Sequence, residues 1–191
     1  MLQQEQRIVL GIDPGTSVMG YGIIQQWQQQ LQVLQYGVLH LEHYKTHTLK
    51  LQKIFSCTLR LVADFNPNEV ALEAPFYGKN VQSMLKLGRA QGVAMAAALA
   101  HEVPITEYAP RKVKQAITGN GHASKEQVAR MLISLLQLPA AIYQELDATD
   151  ALAVAVCHAY QGECTHSKRT TWKKFIQDQP ERVHQADKGS L

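Results

Sequence analysis

Cysteine is scarce in this chain. Cys57, Cys157 and Cys164 form an odd and scattered set, which excludes a disulfide framework and leaves reduced thiols as the default. Long apolar runs are absent as well, so no segment reaches the roughly 20 residues that a membrane-spanning helix requires. The glutamine-rich N-terminus has neither the basic nor the apolar region of a signal peptide, and the chain reads as cytoplasmic, with no membrane partner. Aromatics are few, 7% of residues against 46% hydrophobic overall, as in a soluble globular protein whose core is built mainly from Ala and Leu. At 191 residues the chain can form one domain with a real core, but not two large ones.

Excess charge is also confined. Residues 1–167 hold 13 Lys and Arg against 13 Asp and Glu, while residues 168–191 hold six against three, so the net charge of +3 sits in the tail. Within the body, the segment from Lys79 to Arg130 carries eight basic residues and three acidic ones. The acids Asp13, Glu73, Asp147 and Asp150 lie outside it. A basic surface beside a carboxylate cluster suits a metal-dependent enzyme acting on a polyanion; lysines solvating helix faces would give the same counts.

The run from Ile8 to Ile12 reads as a strand buried on both faces that ends at Asp13, before Pro14 and Gly15. A charge at the edge of a rigid apolar element needs a partner, either a cation, a backbone nest or a metal ion. Strands are expected at Arg7–Ile12, Tyr21–Gln26 and Leu31–Leu41, joined as an antiparallel meander with Gln25–Gln32 as a polar hairpin tip. Leu51, Ile54, Phe55, Leu59, Val62 and Phe65 recur at helical spacing, and Asn66-Pro67-Asn68 stops that helix. A second acid-terminated strand, Glu69–Glu73, follows. If it lies parallel to the first through the intervening helix, Asp13 and Glu73 emerge at one sheet edge.

A helix from about Val81 to Glu102 is rich in small residues between Gly88 and Ala98, which permit close approach of another element of this chain or of a second subunit. Next come a strand at Pro104–Tyr108, a helix opened by Pro110 that carries Arg111, Lys112 and Lys114, and a helix capped by Ser124 and Gln127 that runs to about Leu136. Lys125 falls in the first turn of that helix, where the dipole favours an anion, so a phosphate beside it would resolve the conflict. The last helix, Ala-rich up to His158, carries Asp147 and Asp150 on one face of its first turn. Acids are favourable there without any further role. Two like charges on one face nevertheless repel unless a cation lies between them. Residues 1–161 form the expected domain, and residues 162–191 a flexible, basic tail.

Gly11-Ile12-Asp13-Pro14-Gly15 with Gly20-Tyr21-Gly22, the segment Glu73 to Asn80 leading to Leu85–Ala90, and Asp147-Ala148-Thr149-Asp150-Ala151 together resemble the RuvC crossover junction endodeoxyribonucleases, the bacterial Holliday junction resolvases. The resemblance runs in order from Arg7 to Gln161. It implies an RNase H-like α/β fold: a mixed five-stranded sheet with its first three strands antiparallel and helices on both faces. It further implies that Asp13, Glu73, Asp147 and Asp150 converge as catalytic residues and ligands of two Mg²⁺ ions, with Mn²⁺ as a substitute. Asp13 would bridge the ions, Glu73 would hold the one that orients water, and the products would be a 5′-phosphate and a 3′-hydroxyl.

By the same resemblance Phe76 stacks on a base where the junction opens, and Lys114 and Lys125 act near the scissile phosphate or on the DNA backbone. Lys79, Lys86, Arg89 and Arg111 are the remaining candidates for DNA contact. The helix containing Gly88–Ala98 would form a homodimer, so that two sites make paired nicks, and RuvA and RuvB branch-migration proteins would be partners. An actin-like or sugar-kinase phosphate loop would need a second nucleotide-binding half, for which the chain has no room. A non-catalytic DNA binder would leave four acids repelling phosphates. Zinc sites at His40, His43 and His47, or at Cys157, His158, Cys164 and His166, match no recognised ligand pattern.

Overall fold

The computed structural model describes residues 6–75, 80–139, 142 and 145–161. Strand β1, Arg7–Asp13, is the middle strand of a five-stranded sheet ordered β3-β2-β1-β4-β5. That position explains its uninterrupted aliphatic run: Val9 faces one core and Leu10 and Ile12 the other, all inaccessible to solvent. β2, Val18–Trp27, and β3, Gln30–His40, continue from β1 as the expected antiparallel meander. β2 begins three residues before the expected Tyr21 because its pairing extends to Asp13↔Gly20 and Val18↔His40. The hairpin tip is also shorter than the glutamine cluster suggests. Trp27 pairs with Gln30, and Gln28 makes the turn with a positive φ of 57°.

Helix α1, His47–Phe65, starts at Thr46, whose side chain accepts a hydrogen bond from the Leu49 N–H, and ends at Asn66 in the left-handed region. β4, Glu69–Glu73, returns parallel to β1, α2 covers Val81–Leu99, and β5, Ile105–Tyr108, lies parallel to β4. α2 stops before the expected Glu102, in a turn where the Val103 N–H donates to the Ala98 carbonyl. Helices α1 and α2 cover one face of the sheet, with Ile54, Leu61, Ala90, Ala94 and Ala98 packed on Leu10, Ile12, Val70 and Leu72. One stripe of the small residues in α2 is therefore consumed within the chain. The other is not: a Cβ on Gly88 or Gly92 would meet nothing within 4 Å, and Val81, Leu85 and Leu99, at the matching helical spacing, are exposed.

The opposite face carries α3, Pro110–Thr118, α4, Lys125–Leu136, and α5, Leu146–Tyr160. The expected capping box of Ser124 and Gln127 is present. α5 lies unusually close to the sheet, because glycines remove the side chains that would hold it off. A Cβ on Gly11 would overlap the carbonyl oxygen of Ala151, and one on Gly20 that of Asp147. At the far end of the sheet, the buried Glu69 pairs with Arg7, and His158 Nε2 lies 3.2 Å from the same carboxylate. The His158 Nδ1 is 2.8 Å from the Tyr108 hydroxyl, so one polar chain ties β1, β4 and β5 to the C-terminal end of α5. No helix among the described residues is long and apolar enough to cross a membrane.

Candidate active site

Three elements deliver the acids. Parallel pairing of β1 with β4 brings Asp13 and Glu73 to the same sheet edge, as the order of strands and helix requires. Close packing of α5 over Gly20 sets its first turn beside Asp13, which pairs with Gly20 in the sheet. Asp13, Asp147 and Asp150 thereby offer oxygen atoms that all lie within 4.8 Å of one another. Glu73 stands outside this trio and forms a wall common to two clefts. One cleft holds Asp13, Pro14, Ala74, Pro75, Leu87 and Gln91; the other holds Lys114, Lys125 and Asp150 against Pro110 and Val113. A larger groove of about 770 Å³ lies at the opposite end, between the β2–β3 hairpin and the end of α4, and has no carboxylate in its wall.

The charges in this cluster are mutually costly. Burial, then the nearby Glu73 and Asp150 carboxylates, push Asp13 up to about 8, although Lys125 pulls it back. Burial followed by the Asp150 charge raises Glu73 to about 7, with Lys125 and Lys114 opposing. Asp150 is raised by burial despite its hydrogen bond from Lys125. Lys125 is driven down by burial, but the Asp150 hydrogen bond and the Asp150, Asp13 and Asp147 charges outweigh this and hold it above its ordinary value. An all-oxygen donor set with this surplus of negative charge fits a hard divalent cation such as Mg²⁺.

The sign of the resulting pH dependence follows directly. Asp13 and Glu73 hold protons in the folded protein that the unfolded chain has already released, so metal-free stability falls as pH rises from about 4.5 towards 8. A divalent ion displaces those protons. Thermal melts without metal should shift downward over this range and Mg²⁺ should reverse the shift, with protons released on binding, seen as buffer-dependent heats in calorimetry. A flat pH profile would mean that the acids are not coupled.

The other candidates divide. Lys114 and Lys125 line the Glu73–Asp150 cleft. Lys86 and Arg89 are exposed on α2 and act with Lys50 to lower the His47 imidazole, after burial, so these four basic groups share a neighbourhood spanning α1 and α2. Arg111 packs beside Gly121. Phe76 and Lys79 lie outside the described residues, as does the tail from Gly162.

Two further contributors had no clear pattern in the sequence. Lys50 Nζ donates to the Thr16 carbonyl at 2.9 Å, in the loop that follows Asp13. Its only signal is the one noted for Lys125, a cation in the first turn of a helix. The buried Gln91 donates to Glu107 and borders the cleft shared by Asp13 and Glu73. As for zinc, the only metal-competent grouping among the described residues is Asp13, Asp147 and Asp150. Cys157 is raised by burial to about 11, and His158 is engaged by Glu69 and Tyr108.

Comparison with known proteins bears on this geometry. A family profile described as crossover junction endodeoxyribonuclease RuvC matches residues 9–158. Crossover junction endodeoxyribonuclease RuvC of Cytophaga hutchinsonii is 54% identical over 181 residues, 93% of this chain and 88% of that protein. Its counterpart from Christiangramia forsetii is 54% identical over 182 residues, 94% of each chain. Among solved structures, Thermus thermophilus RuvC in complex with Holliday junction substrate superposes with a TM-score of 0.72 at 32% identity, covering 81% of this chain and 94% of that one. The mixed sheet with helices on both faces is thus RNase H-like, and the chain belongs to the RuvC family of crossover junction endodeoxyribonucleases.

Proposed function

We propose that the protein is a divalent-metal-dependent endonuclease that resolves Holliday junctions by paired symmetric nicks in DNA recombination and repair. The observation that carries this reading is the convergence of Asp13, Asp147 and Asp150 from β1 and α5, with Glu73 beside them, in a member of this family. These four residues would hold two Mg²⁺ ions, with Mn²⁺ as a substitute; when bound, the ions supply an activated water and stabilise the leaving 3′-oxygen. Asp13, last residue of the middle strand of the sheet, fixes the centre of the set. Glu73, on the wall shared by the two clefts, would hold the ion that orients the attacking water. Lys114 and Lys125, in the adjoining cleft, bind the phosphate that enters it.

The remaining roles belong to the same proposal. Lys79, Lys86, Arg89 and Arg111 contact the DNA backbone, and Phe76 stacks on a base at the opened junction. The uncovered stripe Val81, Leu85, Gly88, Gly92 and Leu99 on α2 supports a homodimer. RuvA and RuvB are the partners that family membership suggests, and the cytoplasm is where such DNA work takes place. The test is a labelled four-way junction incubated with Mg²⁺, Ca²⁺ or EDTA beside duplex and flap controls. Paired nicks specific to the junction are expected in Mg²⁺, with none in EDTA; tight binding without cutting in any metal, or indifference to junctions, would overturn the reading.

The tail contributes through charge. Removing residues 168–191, which carry six basic and three acidic groups, should weaken junction binding and flatten its salt dependence while cutting persists. An unchanged slope of affinity against salt would rule out an electrostatic role.

A further inference from the structure

The sequence sets a puzzle at Lys125, a cation in the first turn of α4 where the helix dipole opposes it. A phosphate is one remedy, and the structure supplies another. The Lys125 ammonium reaches across to α5 and donates to the Asp150 carboxylate. Asp150 is one of the three acids whose oxygens crowd within 4.8 Å, and its side chain is only 14% exposed, against 54% for that of Lys125. The lysine is thus tethered from the solvent side, on a flexible four-carbon stem, to a carboxylate held rigidly in the cluster. Lys114 shares the same cleft, but no hydrogen bond or ion pair to the acids is seen for it.

We infer that Lys125 is an exchangeable internal counter-ion: its ammonium neutralises Asp150 when no metal is bound, competes there with a divalent cation, and transfers to a DNA phosphate when substrate enters the cleft. The inference rests on the metal-dependent reading given above and extends it. One ammonium cannot serve both anions at full strength. A divalent cation among the acids repels the Lys125 ammonium from Asp150, and a phosphate that accepts the ammonium lowers the cost of that displacement. Metal and DNA then bind with positive coupling, and by linkage the coupling is equal in either direction. Lys125 is in this respect a positioning residue for Asp150 as well as a phosphate ligand.

The test measures metal affinity without turnover. Mn²⁺ binding would be followed by electron paramagnetic resonance, and Ca²⁺ binding by calorimetry, in the full chain and in Lys125→Gln, Lys125→Arg, Lys114→Gln and Asp150→Asn. Because Lys125 is largely exposed, its pair with Asp150 is screened, and the gain in Mn²⁺ affinity for Lys125→Gln should be about three- to tenfold rather than larger. Lys114→Gln should gain less than about twofold, since it removes a nearby charge but no bond to the cluster, and Lys125→Arg should stay near the parent.

Adding a junction in Ca²⁺ should raise the parent's metal affinity, and Lys125→Gln should lose most of that enhancement. Equal gains for Lys125→Gln and Lys114→Gln would show a general charge effect and overturn the inference, as would an unchanged affinity in Lys125→Gln while Asp150→Asn abolishes binding. If the parent binds no Mn²⁺ that Asp150→Asn reduces, the metal-dependent reading itself fails, and the inference fails with it.

Discussion

Asp13→Asn is expected to lower the rate of junction cleavage by about 10³- to 10⁴-fold, the several kcal/mol that a lost metal-centred interaction costs at the transition state. Asp13 sits at the end of the central strand, with an oxygen within 4.8 Å of those offered by Asp147 and Asp150, and under the electrostatic influence of Glu73. No neighbour can replace it, because Asp147 and Asp150 are fixed on a helix and Glu73 on the adjacent strand. The amide is isosteric and neutral, so the fold should survive. Removing a buried carboxylate from a crowded cluster should in fact raise metal-free stability near pH 7. Junction binding should be unchanged or tighter, since the amide can bring no negative charge near the phosphates. Single-turnover cleavage, a gel-shift titration and a thermal melt separate these effects. Residual cleavage within tenfold of the parent would remove Asp13 from the centre of the chemistry.

Much of this arrangement is legible in the sequence itself. The aliphatic run before Asp13, the second acid-terminated strand after one helix, and the turn at Asn66 are local signals, and each reports a single physical requirement: burial on both faces, parallel pairing with β1, or a left-handed cap. The capping box at Ser124 is of the same kind. What the sequence hid was relational. The early start of β2 depends on pairing with two neighbours, which no property of Val18 or Met19 announces. The glutamines read as a hairpin tip are mostly strand residues, because alternation with Trp27, Leu31 and Val33 matters more than their polarity. The Lys125–Asp150 bond joins two helices 25 residues apart, and the dipole argument could demand an anion for Lys125 without saying which. Lys50 and Gln91 carry no clear sequence signal for the same reason: each matters through one contact made across the fold.

Gly11 joins these levels, and Gly11→Ala is expected to damage stability and chemistry together. Gly11 lies in the middle of β1 directly beneath α5, where a methyl group would overlap the Ala151 carbonyl oxygen and come within 2.9 Å of both the Ala155 nitrogen and its Cβ. Two of those atoms are backbone, so no rotamer change relieves the overlap, and α5 must lift from the sheet. The overpacking should cost about 3 kcal/mol, a fall of roughly 6–12 °C in melting temperature for a chain of this size. The helix that lifts also carries Asp147 and Asp150, whose distance to Asp13 defines the metal-competent trio. A displacement of about 1 Å there should lower cleavage by about 10²-fold even in the fraction that remains folded. Because a divalent ion binds only the aligned acids, saturating Mg²⁺ should recover part of the lost melting temperature in Gly11→Ala, by more than it stabilises Asp13→Asn. If Gly11→Ala melts and cuts like the parent, α5 is not seated on the sheet as described. The spacing of the acids would then have to be set by something other than the glycine that lets the helix down.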